Sequence, residues 1–229
     1  MKTSNKILLA LFILPFVLAT LVGFTFYSVQ NSGKFITEEQ YNKESKLTNI
    51  VPAFTGIDLL GYKGNHVTIS KSDSFAVVTD EWNKGKISYE VKDNILILTS
   101  ASKDEYIPVT IFCPSVSSIT TDSAGVNIGD VLRNATINAK AESDITLNSN
   151  ADSLALNIER NGNVNLGANT IRELQLNLSN GAQLDASEAI VMSFSNVALA
   201  DSATVKFGGK TMKAFLQHRN LNHYNNPSL

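Results

Sequence analysis

Five triplets of apolar, polar and apolar residues recur along the second half of this chain: Val126-Asn127-Ile128, Ile145-Thr146-Leu147, Val164-Asn165-Leu166, Leu184-Asp185-Ala186 and Val205-Lys206-Phe207. Their first residues lie 19, 19, 20 and 21 positions apart. Eight positions before each of the last four stands another: Ile137-Asn138-Ala139, Leu156-Asn157-Ile158, Leu176-Asn177-Leu178 and Val197-Ala198-Leu199. Alternation of this kind marks a strand with one buried face. Two such strands inside a fixed period mark a coil whose turns stack about 4.8 Å apart. A single turn cannot bury its own apolar residues, so each must lie in register on the next. The expected fold is therefore all-β, a single-stranded parallel β-solenoid (β-helix).

The turns "RNGN" and "SNGA" are also strong signals for antiparallel hairpins, as in a sandwich or meander. Charges in neighbouring turns favour the coil. Stacking by one period sets Lys140 beside Glu159 and Asp185 beside Lys206. Such exposed pairs contribute only about 0–1 kcal/mol each, but like charges would oppose the register. The same stacking puts Asn138, Asn157 and Asn177 in one outward column and Asn127, Thr146, Asn165 and Asp185 in another. Flat arrays of polar side chains on rigid strands can hold an extended ligand, so these seven residues are the candidate binding surface. Stacked amides can also simply tie adjacent strands together, the competing role.

Flanking segments break the period. Residues 54–112 hold further strands, "FTGIDLLG", "HVTIS", "FAVVT", "KISYEV", "NILILT" and "YIPVTIF", with a local hairpin at "KDN", residues 92–94. They suggest a flatter sheet capping the coil, whose open ends would otherwise pair with other chains. At the far end "GGKTMKAFLQHRNLNHYNNPSL" loses the period and turns polar, as a cap and tail would.

From Ile7 to Gln30 no side chain is charged, and Ile7 to Tyr27 is almost wholly apolar over 21 residues. A helix of that length spans roughly 30 Å of hydrocarbon. The stretch exceeds the 7–15 or so apolar residues usual in a cleaved signal peptide, so an uncut transmembrane helix is expected, with Lys2 and Lys6 keeping the amino terminus cytoplasmic. The expected plan is a cytoplasmic tip over 1–6, an anchor over 7–27, a polar linker over 28–49, the solenoid over 50–210 and a cap or tail over 211–229. It implies a single-pass protein of the inner (cytoplasmic) membrane with its coil on the periplasmic side.

Several residue runs carry a family likeness: "PAFTGIDLLGYKGNHVTIS", "VKDNILILTS", and apolar strands separated by small turns such as "DSAG", "RNGN" and "SNGA". The chain resembles the bacterial GIN-domain family, described as auto-transporter adhesin heads, over roughly residues 50 to 210. The resemblance implies a right-handed parallel β-solenoid and an adhesin-like or scaffolding role. It brings no catalytic motif. Where the family repeats Ser-Gly pairs in its turns, this chain carries Ala, Asn and Asp, as in "AESD" and "ADSAT".

Charge and side-chain chemistry narrow the function. With 19 basic against 21 acidic residues and a net charge of -2, the chain lacks the basic excess of a nucleic-acid binder. Its lone Cys113 allows neither an internal disulfide nor a cysteine-built zinc site. His66, His218 and His223 are scattered, and Asp122, Glu142, Asp144 and Asp201 fall at different offsets from their triplets, so no column gathers the acids that a lyase or hydrolase needs. No cofactor is expected. The expected function is that of a non-enzymatic, membrane-anchored envelope protein whose partners are the membrane and an envelope protein or glycan. A carbohydrate-active parallel β-helix enzyme, a polysaccharide lyase or hydrolase, is the alternative.

Overall fold

The computed structural model describes residues 3–31, 45–100, 106–200 and 202–225, with side chains over 12–28, 45–100, 106–200 and 202–219. The chain divides into two compact units, Met1–Ser45 and Lys46–Leu229.

The first unit holds one helix, α1 (Thr3–Asn31), with Pro15 inside it. Its described side chains, over 12–28, are exposed throughout. Among the described residues no helix is long and apolar enough to cross a membrane. This overturns the transmembrane helix expected over 7–27, and with it the single-pass inner-membrane placement. The tip over 1–6 and the linker over 28–49 fall partly, and Asp201 wholly, outside the described residues.

In the second unit the first strands are β1 (Lys46–Ile50), β2 (Gly56–Gly61), β3 (His66–Lys71), β4 (Ala76–Asp80), β5 (Ile87–Lys92), β6 (Ile95–Ser100) and β7 (Val109–Cys113). The repeats supply β8 (Val116–Asp122), β9 (Gly125–Ile128), β10 (Leu132–Lys140), β11 (Asp144–Leu147) and β12 (Ala151–Ile158). They continue with β13 (Asn163–Asn165), β14 (Thr170–Leu178), β15 (Gln183–Ala186), β16 (Ile190–Leu199) and β17 (Thr204–Phe207), before helix α2 (Gly209–Asn225). The strands form a nine-stranded sheet, β1-β4-β7-β3-β9-β11-β13-β15-β17, and an eight-stranded sheet, β16-β14-β12-β10-β8-β2-β6-β5.

From β8 onward each turn gives a long strand to one sheet and a short strand to the other, and each pairs parallel with its counterpart one turn away. The arrangement is β-solenoid-like. Val126, Ile145, Val164, Leu184 and Val205 are successive register partners in the short strands, as are Ile137, Leu156, Leu176 and Val197 in the long ones. All but Val197 and Val205 are buried, and each fully buried aliphatic side chain contributes about 1.5–3 kcal/mol relative to exposure.

Hairpin-like turn chemistry builds these parallel corners. Arg160 and Asn161 have φ of 48° and 63°, and Asn180 and Gly181 of 51° and 79°, the left-handed pair that a tight hairpin turn would use. Here each pair carries the chain from a long strand of one sheet to a short strand of the other. Buried small residues follow at matching places in successive turns, namely Ala124, Ser143, Gly162 and Ala182, and let the corners stack. Ser143 Oγ accepts a hydrogen bond from the Ser123 N–H at 3.0 Å and donates one to the Lys140 carbonyl at 2.5 Å, tying two corners together.

At the carboxyl end α2 packs on β16, where Phe194, Phe207 and Phe215 form a cluster with ring centroids 5.0–5.6 Å apart. Buried Thr211 donates to the Ala189 carbonyl at 2.7 Å and accepts from the Val191 N–H at 3.0 Å. Its hydroxyl thus serves backbone groups that another turn of coil would have met.

Candidate functional site

On the eight-stranded sheet, Asn138, Asn157 and Asn177 stand in register with Thr120 on one side and Ala198 on the other. Asn157 Nδ2 donates to Asn138 Oδ1 at 2.8 Å, and Asn138 Nδ2 donates to Thr120 Oγ1 at 3.3 Å. The first two amides are therefore engaged with their neighbours, while Asn177 is exposed beyond the end of that hydrogen-bonded run.

The second column lies on the nine-stranded sheet, where Asn127, Thr146, Asn165 and Asp185 are successive partners and Lys206 follows. Being on different sheets, the two columns do not form one surface. Asn165 Oδ1 accepts from the Gly167 N–H at 2.8 Å. Asp185 Oδ1 accepts from the Ser187 hydroxyl at 2.6 Å and the Ser187 N–H at 3.0 Å, with Lys206 Nζ 3.8 Å from its other oxygen. These contacts, the Ser187 hydroxyl foremost, hold the Asp185 carboxyl below the usual carboxylate range. Both side chains thus help to close the corner after their strand. With Asn163, Gln183, Thr204 and Lys206 they also line a shallow polar depression of about 190 Å³.

Further along this face, Asn127 Nδ2 lies 3.0 Å from Nε2 of His66. The imidazole sits over Gly125, where a Cβ would come within 2.7 Å of Nδ1, so that glycine permits the close approach. His218 is on α2, its ring centroid 6.3 Å from that of Phe194. Among the described residues no three His, Cys, Asp or Glu side chains converge as a metal-binding group. Cys113 is buried, which pushes its thiol up to about 11 and keeps it a thiol at neutral pH.

A larger feature lies outside both columns. Along the corner where short strands hand over to long ones, a groove of about 650 Å³ runs from Pro114 and Ser115 to Met192. The registers of β10, β12, β14 and β16 set Arg133, Asp152, Arg172 and Met192 on consecutive turns along it. Arg172 Nη1 lies 3.3 Å from Asp152 Oδ1, and Lys71 Nζ lies 3.2 Å from Asp130 Oδ2. Among the described residues no carboxylate forms an ion pair with Arg133. Asn150 Oδ1 accepts from the Thr170 N–H at 2.7 Å, which leaves its amide N–H groups available. The groove is thus an open channel with charged and polar groups repeated at the spacing of the turns, suited to a long ligand lying along the coil axis.

A family described as "Putative auto-transporter adhesin, head GIN domain" matches residues 53–211. Among solved structures, the chain is similar to a "putative adhesin" from Bacteroides fragilis NCTC 9343, at 16% identity and a TM-score of 0.55, over 71% of this chain and 95% of that one. It is also similar to a "Putative lipid binding protein" from Parabacteroides distasonis ATCC 8503, at 12% identity and a TM-score of 0.53, over 71% of this chain and 80% of that one. At such identities the likeness shows the fold alone. None of the curated proteins matches the chain.

Proposed function

The chain belongs to the GIN-domain family, and from that premise we propose that its coil is a non-catalytic, adhesin-like recognition module that holds an extended glycan against rigid, evenly spaced side chains. The supporting observation is the corner groove, whose lining residues Arg133, Asp152, Arg172 and Met192 come from four consecutive turns. A backbone held in stacked strands loses little freedom on binding, which favours affinity without a deep pocket. The Asn138–Asn157 ladder is assigned a structural part, since its amides already bond to each other.

The test is retention of neutral and acidic glycans by the full chain. We expect saturable retention of at least one, abolished by replacing Arg133 and Arg172 together with Ala while the unfolding midpoint stays unchanged. Release of shortened chains or new reducing ends, lost on substitution of a groove carboxylate, would overturn the proposal in favour of an enzyme.

A further inference from the structure

Resting on that reading, we infer that the corner groove takes an anionic polysaccharide, a polymer of uronic-acid type, whose carboxylates are received by Arg133 and Arg172. The chain as a whole carries a net charge of -2, yet the groove is lined by Lys71, Arg133 and Arg172 against only Asp130 and Asp152. Two of those cations are already engaged, Lys71 by Asp130 and Arg172 by Asp152. Among the described residues Arg133 has no carboxylate partner. A guanidinium presents a planar fork that matches a carboxylate in two parallel hydrogen bonds, which a lysine ammonium cannot do.

The spacing of the strands that carry the arginines favours one ligand class. Arg133 and Arg172 are two turns apart, with Asp152 between them, and two turns at the strand spacing amount to about 10 Å. An extended acidic peptide places same-side carboxylates about 6.7 Å or 13 Å apart, because its side chains alternate every 3.3 Å or so. Neither interval fits. A sugar unit in an extended chain has a length close to one turn of this coil, so carboxylates on alternate units fall opposite the two arginines. Asn150 adds a donor for ring hydroxyls, and Met192, 58% exposed, adds an apolar surface at the groove's end.

Asp152 then acts as a competitor. It pairs with Arg172, and an arriving carboxylate must take its place beside a like charge. Removing that charge strengthens binding of an acidic ligand, whereas removing Arg133 weakens it. Opposite signs from two exposed neighbours are not expected of residues that merely support the fold.

The experiment is calorimetric titration of the full chain with an oligogalacturonate long enough to span the groove, beside an uncharged oligogalactan and a polyglutamate, each at low and high salt. For oligogalacturonate we expect Arg133→Gln to raise Kd about tenfold and Asp152→Asn to lower it about threefold, with binding weakened by salt. The galactan should respond to neither substitution. Shifts of the same sign in the two variants, or polyglutamate bound as tightly as oligogalacturonate, would refute the assignment. Galactan bound as well as oligogalacturonate would refute the anionic ligand and leave the recognition module standing. Binding of neither glycan would remove both.

Discussion

The coil from β8 to β17 and the segment from β1 to β7 fill their interiors by different means. In the coil, aliphatic side chains meet their own kind one turn away, as in Ile137, Leu156 and Leu176. In the earlier segment the contacts are particular. Phe54 and Phe75 meet edge to face with centroids 5.0 Å apart, and Tyr62 donates a hydrogen bond to the Ile107 carbonyl, 45 positions away, at 2.5 Å. The pairing changes as well. β4 runs antiparallel to β1 and β7, and β5 antiparallel to β6, so that antiparallel strands β1 and β5 form the outer edges of the two sheets at that end. A repeat can extend itself indefinitely but cannot end itself, because every added turn exposes a new edge. The difference between the regions is that between propagating a sheet and closing it.

The sharpest way to break the comparison is to cut a hole in the stack. Leu156 is fully buried between two like neighbours that are fixed to their own strands, so little can move in to fill the space. Leu156→Ala should cost about 2–5 kcal/mol in chemical denaturation, with the coil's own strands losing amide protection first. In the closing segment the equivalent test is Tyr62→Phe. It keeps the ring but leaves the Ile107 carbonyl without its donor in a buried place, at a cost of about 1–3 kcal/mol. The same denaturation series ranks the two, and a Tyr62→Phe loss exceeding that of Leu156→Ala would mean that the closure, not the stack, carries the stability.

A third substitution probes the seam. Thr121 lies between Leu59 of the earlier segment and Ala139 of the coil, fully buried, and its hydroxyl is the one buried side-chain group among the described residues with no hydrogen-bond partner. Thr121→Val keeps the shape and removes the unmet hydroxyl, so it should stabilise the protein by about 1 kcal/mol. A loss of stability instead would show that the seam needs the polar group.

How far the sequence foretold this structure follows the same division. The coil's register was legible residue by residue, because Val126, Ile145, Val164, Leu184 and Val205 repeat one packing environment, and one environment leaves one pattern. The corners were misleading, since Asn161 and Gly181 report a local left-handed backbone that says nothing of which strand pairs with which. The groove was hidden by a shift of origin. Counted from the short-strand triplets, Arg133 and Asp152 stand at +7 but Arg172 and Met192 at +8. Counted from the long-strand triplets, Arg133, Asp152 and Arg172 each stand four positions before Ile137, Leu156 and Leu176. The candidates Asn165 and Asp185 are register partners, but their bonds to Gly167 and Ser187 depend on corner geometry that no spacing reveals. Nor does the period extend into the closing segment, where Tyr62 and Ile107 meet through a contact that occurs once.

The smallest expected effect lies where the two regions touch at the surface. Lys63, just after β2, sits 2.7 Å from the carboxylate of Asp122 at the end of β8, and the Gly64 N–H donates to the Ser123 carbonyl beside it at 2.7 Å. The Lys63 ammonium, helped by the Ser123 hydroxyl at 3.0 Å, holds the Asp122 carboxyl below its ordinary value. A carboxylate whose pKa is depressed on folding contributes stability above its unfolded value of about 3.9 and loses it as pH falls through the folded value. Asp122→Asn should therefore cost about 0–1 kcal/mol at neutral pH, because Lys63 is largely solvated. As pH falls below about 4 the gap between variant and parent should begin to close, since protonation progressively removes from the parent what the substitution has already removed. Unfolding midpoints measured from pH 7 down to pH 3 check this. A gap that persisted or widened at the acid end would mean that the clasp acts through hydrogen-bond geometry rather than charge, and that the closing segment is held to the coil by its backbone contacts alone.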